Sequence, residues 1–264
     1  MSEIQFELGQ FVCVSLEDQF ARRASVKSCF EDERQLYFVQ SIDGRNWSIE
    51  QAEEYISDEY RNLWRMMREH GRTWLNSGAI ACALTHRDRA LPIAVEGPCI
   101  ICEDDALIAR DFIEIWRDKE VREEWERFDG VILLHYVSKV QIEARKEAVA
   151  KFGRYSLHEV TGKAPGSTAC YFVNSKTAAA LRKIQTPIDA TPDTWAKFSN
   201  QIEGFQILVM HPPPCAVAPF ESTIPYKLRS SSIMNTPIFR LARSFRWKIY
   251  RLRGRLFDRV TRWI

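Results

Sequence analysis

The chain has 264 residues, 45% of them apolar and 12% aromatic, which suits one large α/β domain with an appendage or two small domains. No apolar stretch is long enough to cross a bilayer, and the acidic start Met1-Ser-Glu-Ile-Gln-Phe-Glu lacks the layout of a secretory signal, so a cytosolic protein is expected. The net charge of +2 hides an asymmetry: residues 239–264 carry eight Arg and one Lys against Asp258 alone, which makes this tail +8 and leaves the rest at −6.

Phe11-Val-Cys-Val-Ser-Leu16 reads as a buried first strand, followed by Glu17-Asp18 and a helix carrying Arg22 and Arg23. A strand feeding a polar turn and a basic helix start is the usual opening of a nucleotide-binding α/β unit. Neither a G-x-G-x-x-G nor a Walker sequence is present, so a diphosphate must be held chiefly by metal and basic side chains. The alternative for Arg22 and Arg23 is a solvated helix face.

Leu36-Tyr-Phe-Val39 predicts a second strand, closed by the turn at Asp43-Gly44. Residues 49–70 are helical in character, with Tyr55, Tyr60, Leu63, Trp64 and Met67 on an apolar side that suits a core better than a ligand platform. From Asn76 to Arg87 the chain is small and apolar, then suddenly polar. That composition predicts a helix packed closely on the sheet, with Thr85 and His86 emerging at one end. A lone His is more often structural than catalytic.

The stretch Gly97-Pro-Cys-Ile-Ile-Cys-Glu-Asp-Asp-Ala106 organises the rest. A Gly-Pro turn leads into a short apolar run that ends in Glu103, Asp104 and Asp105, and Phe112, Ile113 and Trp116 then recur at helical spacing. This is a buried strand delivering negative charge to a loop before a helix, at the end of a strand where open α/β sheets bind ligands. Adjacent carboxylates repel one another unless a cation neutralises them, and a hard divalent metal carrying phosphate is a common partner. A solvated acidic loop, or acids complementing a helix dipole, is the alternative.

Further strands are expected at Asp129–His135, Tyr155–Val160 (an edge strand), Ser167–Asn174 and Phe205–Met210. Helices are expected at 138–151 and at 176–184, the second capped by Ser175, and Thr186-Pro-Ile-Asp189 puts an acid in a Pro-bounded loop. Seven cysteines, an odd and scattered number, suit a reducing compartment. Cys99 and Cys102 stand three apart on a strand, so they point to opposite faces and read as core thiols, not as a metal pair.

The order of these pieces resembles glycosyltransferase family 25, over about residues 11 to 220. Val14-Ser-Leu-Glu with Arg22-Arg23 is similar to the family's opening strand and arginine pair, and Tyr37 to Gly44 to its second strand and Asp-Gly turn. Ser77 to His86 resembles its small-residue helix ending in Ser-His, and Cys102-Glu-Asp-Asp-Ala106 its acidic motif. Gly166-Ser-Thr through Tyr171 and Pro187-Ile-Asp189 are similar to the later motifs. Ala79 and Ala81 stand where the family often has Glu and Gly, and Thr85 where it has Ser.

The resemblance implies a GT-A-like, Rossmann-type mixed sheet flanked by helices, and an inverting, metal-dependent transferase using Mn2+ or Mg2+. It would move a hexose, most simply galactose from UDP-galactose, onto a lipopolysaccharide or lipooligosaccharide core glycan carried on lipid. A metal on Glu103 and Asp105, with Asp104 the competing ligand, would stabilise the departing nucleotide. Asp189 is the first candidate for the base that inversion needs, with Asp193 in reserve. His86 would orient a donor hydroxyl or phosphate, and Arg22 or Arg23 would neutralise phosphate charge. The rival reading is a membrane-associated glycan-binding or scaffold protein of the same fold without turnover.

In the tail, Ile238, Ala242, Phe245, Ile249, Leu252, Leu256, Val260 and Trp263 form one helical stripe among arginines. Residues 1–225 therefore read as a catalytic domain and 226–264 as a basic amphipathic tail that lies on an anionic membrane, placing the protein peripherally on the inner face of the cytoplasmic membrane. Packing on the body and nucleic-acid binding are the alternatives. The second is disfavoured by the acidic body.

Overall fold

The computed structural model describes residues 9–69, 75–136, 148–160, 164–222 and 224. The chain opens with strand β1 (Phe11–Ser15), helix α1 (Phe20–Lys27) and strand β2 (Leu36–Gln40). Helices α2 (Ile49–Glu53), α3 (Asp58–Glu69) and α4 (Ser77–Thr85) follow. A π turn at His86–Ala90 joins α4 to α5 (Leu91–Glu96), and strands β3 (Cys99–Glu103) and β4 (Ala106–Ile108) come next. Helices α6 (Arg110–Arg117) and α7 (Lys119–Glu126) lead to β5 (Gly130–Leu133), β6 (Ala150–Phe152), β7 (Tyr155–Glu159) and β8 (Cys170–Val173). The described part ends with α8 (Ser175–Ile184), α9 (Trp195–Gln201), β9 (Gln206–His211) and β10 (Cys215–Val217).

Eight strands form one mixed sheet in the order β2-β1-β3-β8-β5-β9-β7-β6. β1 runs parallel to β2 and β3, and β5 parallel to β9, while β8 lies antiparallel between β3 and β5. Alternation along β3 sends Ile100 and Cys102 to one face, against Phe112, Trp116 and Trp125. It sends Cys99 and Ile101 to the other, with Leu91, Ala94 and Trp195. Helices therefore cover both faces, as buried apolar strands require, and the fold is Rossmann-like. Cys99 and Cys102 are buried thiols on opposite faces, as the spacing predicts.

Two glycines are fixed by close approach. A Cβ on Gly44 would stand 2.5 Å from Ser77 O and 2.6 Å from Ala81 Cβ, so this turn sits directly on α4, and the small residues of α4 make the approach possible. Gly130 has φ +150°, and a Cβ there would meet Gln206 O at 2.0 Å.

Several local expectations are corrected. The single helix at 49–70 is two: Ser48 caps α2 with Gln51 in a capping box, and the chain then breaks so that Ile56 can bridge to Ile188. The helix at Asn76 does not end at Thr85 and His86 but runs on through the π turn, leaving both buried, at 2% and 1% exposure. Asn174, not Ser175, caps α8, its Oδ1 accepting from Thr177 N at 2.8 Å while its Nδ2 holds the carbonyls of Glu126 and Phe128. Residues 150–152 are strand, not helix, and β6 takes the sheet edge expected for Tyr155–Val160. Residues 148 and 149 are not helical either, and residues 138–147 of that expected helix, like the tail stripe with its domain boundary, lie outside the described residues. β4 and β10, which pair with each other, were not expected.

Candidate active site

The parallel strands β1 and β3 end side by side, and β8 starts at the same edge. Val14 faces Glu103 in the register, which makes Ser15 and Asp104 neighbours just beyond it. Ser15 Oγ donates to Asp104 Oδ2 at 2.7 Å. Arg22, from the buried side of α1, donates from Nε to Asp104 Oδ1 at 2.5 Å and from Nη2 to Asp105 Oδ2 at 2.9 Å. Ion pairing outweighs burial here and raises the Arg22 pKa, so the guanidinium is a fixed cation under the acidic loop.

The three acids thus have different surroundings. Asp104 is 6% exposed and committed to Ser15 and Arg22. Asp105 gives Oδ2 to Arg22, while its Oδ1 is buried with no hydrogen-bond partner among the described residues. Burial, then the neighbouring Glu103, pushes the Asp105 carboxyl up to about 6, against the pull of Arg22. Glu103 faces a cleft and accepts a 2.6 Å bond from Thr168 Oγ1. Burial opposes its ionisation, but His86, Thr168 and Arg22 together hold its carboxyl below the ordinary value.

His86 enters from the junction of α4 and the π turn, 1% exposed. Its Nδ1 meets the Tyr171 hydroxyl at 2.9 Å, and its Nε2 lies 3.9 Å from Glu103 Oε1, too far for a hydrogen bond. One turn earlier, Cys82 lines the same cleft. Thr85 turns inward and ties the helix to the β2 side, accepting from Ile42 N at 2.9 Å and donating to Ala81 O.

Two cavities meet at Glu103, Cys82 and Ile224. One extends past Ser15, Arg22, Asp43, Gly44 and Arg45. Arg45 is held there by Asp43 and by Asp18, the latter at 2.7 Å. The other extends past Thr168, Thr191, Pro192 and Asp193. Asp193 accepts from Thr191 Oγ1 at 2.6 Å, and Gly166 leaves it room, since a Cβ there would stand 3.0 Å from Asp193 Oδ2.

Of the residues singled out from the sequence, Arg22, His86, Glu103, Asp104, Asp105 and Asp193 gather around this junction. Two do not. Arg23 turns to the flank of the sheet, its guanidinium 4.5 Å from the centre of the Phe38 ring. Asp189 lines neither cavity and pairs with Lys197 at 2.5 Å. Sequence reading missed Ser15, Arg45, Cys82 and Thr168. The i, i+4 spacing of Cys82 and His86 was the one local signal among them.

Fold and site together define a Rossmann-like α/β protein with a carboxylate-centred cleft at the strand ends. The family model for glycosyltransferase family 25, described as LPS biosynthesis protein, matches residues 9–195, more than half of the chain, and the protein belongs to that family. It is a glycosyltransferase, and the family implies a nucleotide-sugar donor and a glycan acceptor. No curated protein matches the chain. Among the described residues no helix is long and apolar enough to cross a membrane.

Proposed function

We propose that the chain is an inverting, metal-dependent GT-A transferase that moves galactose from UDP-galactose onto a lipooligosaccharide core glycan. The observation that carries the reading is the pair Glu103 and Asp105: one acid faces the junction of the two cavities, and the other holds a buried oxygen with no partner among the described residues. An all-oxygen donor set of this kind fits a hard cation. Mn2+ or Mg2+ held by Glu103 and Asp105 would neutralise charge on the departing diphosphate.

The donor's diphosphate enters between Ser15 and Arg45, where the Arg45 guanidinium meets it. Arg22 serves the phosphate indirectly by fixing both aspartates. The acceptor hydroxyl comes from the Thr191–Asp193 side. Asp193 takes its proton as the oxygen attacks the anomeric carbon, UDP leaves with the electron pair of the broken bond, and the configuration inverts. The lining of the cavity supports Asp193 over Asp189, whose charge is already matched by Lys197.

The catalytic unit is residues 1–225, and residues 226–264 rest on the anionic inner face of the cytoplasmic membrane. The arginine-rich stripe supports this, and deletion of 239–264 would shift the protein from the membrane fraction to the soluble one. The function is tested with labelled UDP-galactose, Mn2+ and a lipooligosaccharide acceptor. Transfer of label with the opposite anomeric configuration is expected, and absence of transfer from every UDP-hexose would reject the reading.

A further inference from the structure

Cys82 and His86, which the proposed transfer does not use, cluster with Glu103, which it does. Cys82 and His86 stand one turn apart on one helix stripe, and Glu103 faces them from the end of β3. One donor atom from each, a thiol sulfur, an imidazole nitrogen and a carboxylate oxygen, lies within 4.8 Å of the other two. Drawing such atoms to metal-ligand distances needs side-chain shifts of about 1 Å.

A second observation points to a ligand. His86 is 1% exposed, and its Nε2 has no hydrogen-bond partner among the described residues. A buried polar atom left unpaired has lost its hydration without a replacement, so a site that leaves one is destabilised until a ligand meets it. This one is aimed at a carboxylate oxygen 3.9 Å away. Its other nitrogen is already engaged by the Tyr171 hydroxyl at 2.9 Å. When Tyr171 accepts from Nδ1–H, the Nε2 lone pair faces the cluster, which is how an outer hydrogen bond orients a metal-binding imidazole.

We propose that Cys82, His86 and Glu103 form a three-ligand site for a borderline-soft divalent cation, zinc above all, with the fourth position open to the cleft. Mixed sulfur, nitrogen and oxygen donors suit zinc, and magnesium avoids thiolate. On binding, the Cys82 thiol gives its proton to solvent as the sulfur–metal bond forms. Three protein ligands with one open position is the layout of a zinc site that also takes a small ligand. The site goes beyond the donor cation proposed above and does not depend on the sugar transferred. It shares Glu103 with that cation, so zinc displaces the hard ion and blocks transfer.

The test uses the full chain, stripped with chelator and titrated with Co2+ as a spectroscopic substitute for zinc. One equivalent should produce a thiolate-to-cobalt charge-transfer band and the strong visible bands of four-coordinate cobalt, and Zn2+ should remove both. Cys82→Ser should abolish the charge-transfer band, and Cys29→Ser, outside the cluster, should keep it. Cobalt bound without that band, or a band that persists in Cys82→Ser, overturns the site. X-ray absorption at the zinc edge on the unsubstituted protein decides the matter even where Cys82→Ser fails to fold. One sulfur neighbour supports the site, and nitrogen and oxygen neighbours alone reject it.

Discussion

Arg22 Nε lies 2.5 Å from Asp104 Oδ1, with the side chains of both residues at most 10% exposed. The middle acid of the central trio is thus neutralised by the protein itself. An acidic triplet that looks like one metal site separates into Asp104, paired with Arg22, Asp105, which shares Arg22 through Oδ2 and keeps its Oδ1 without a partner among the described residues, and Glu103, which faces the cleft. Breaking a buried pair from one side leaves an uncompensated charge and costs about 3–5 kcal/mol. Arg22→Met should lower stability in urea by that order, and adding Asp104→Asn should restore part of the loss. Equal stability of Arg22→Met and the unsubstituted chain would show that the pair is not a structural strut.

The two candidate bases separate by kinetics. Asp193→Asn should lower kcat by about 10²–10⁴-fold with donor binding retained. Asp189→Asn removes a partly exposed pair with Lys197, worth at most about 1 kcal/mol, and should leave kcat within a few-fold. The reverse pattern in a steady-state assay would return the base to Asp189.

Much of this was legible in the sequence. The buried runs of β1, β2, β3, β5, β8 and β9 are apolar stretches bounded by turns, and the acids after Cys102 stand at a strand end as their order implies. The contact of Ser15 with Asp104 was not legible, because it depends on the register of β1 against β3, a non-local choice. Nor was the continuation of the helix through His86. Arg87, Asp88, Arg89 and Pro92 look like a terminus, yet Asp88 and Arg89 point to solvent and Pro92 falls in the first turn of α5, where its missing N–H costs little. β4 and β10 are three residues each, too short for any period to register. Asp189 and Asp193 sit in one loop, and only packing tells which of them faces Glu103.

His135 supplies a pH dependence. Burial lowers its pKa below the ordinary histidine value, against the opposing pull of Glu103. At this group the folded state therefore binds fewer protons than the unfolded chain in the window just below about pH 6.5, and its contribution to stability rises with pH there, whereas Asp105, pushed up to about 6, contributes with the opposite sign. The stabilisation is present above the unfolded pKa and is lost as pH falls toward the folded one. The test is therefore the difference between two chains: from pH 7 to 5 the melting temperature of His135→Gln should fall less than that of the unsubstituted protein. An identical slope in the variant would show that His135 does not contribute.

In the proposed mechanism Glu103 and Asp105 hold the cation on which the donor's diphosphate rests. Thermal unfolding with UDP-galactose, with and without Mn2+, is the decisive measurement. A donor present at about 100 times its Kd stabilises the folded state by about 2.7 kcal/mol. Such a shift is expected for the unsubstituted chain only when Mn2+ is present, and none for Glu103→Gln or Asp105→Asn. Full stabilisation of both variants, or of the unsubstituted chain without any divalent ion, would contradict it.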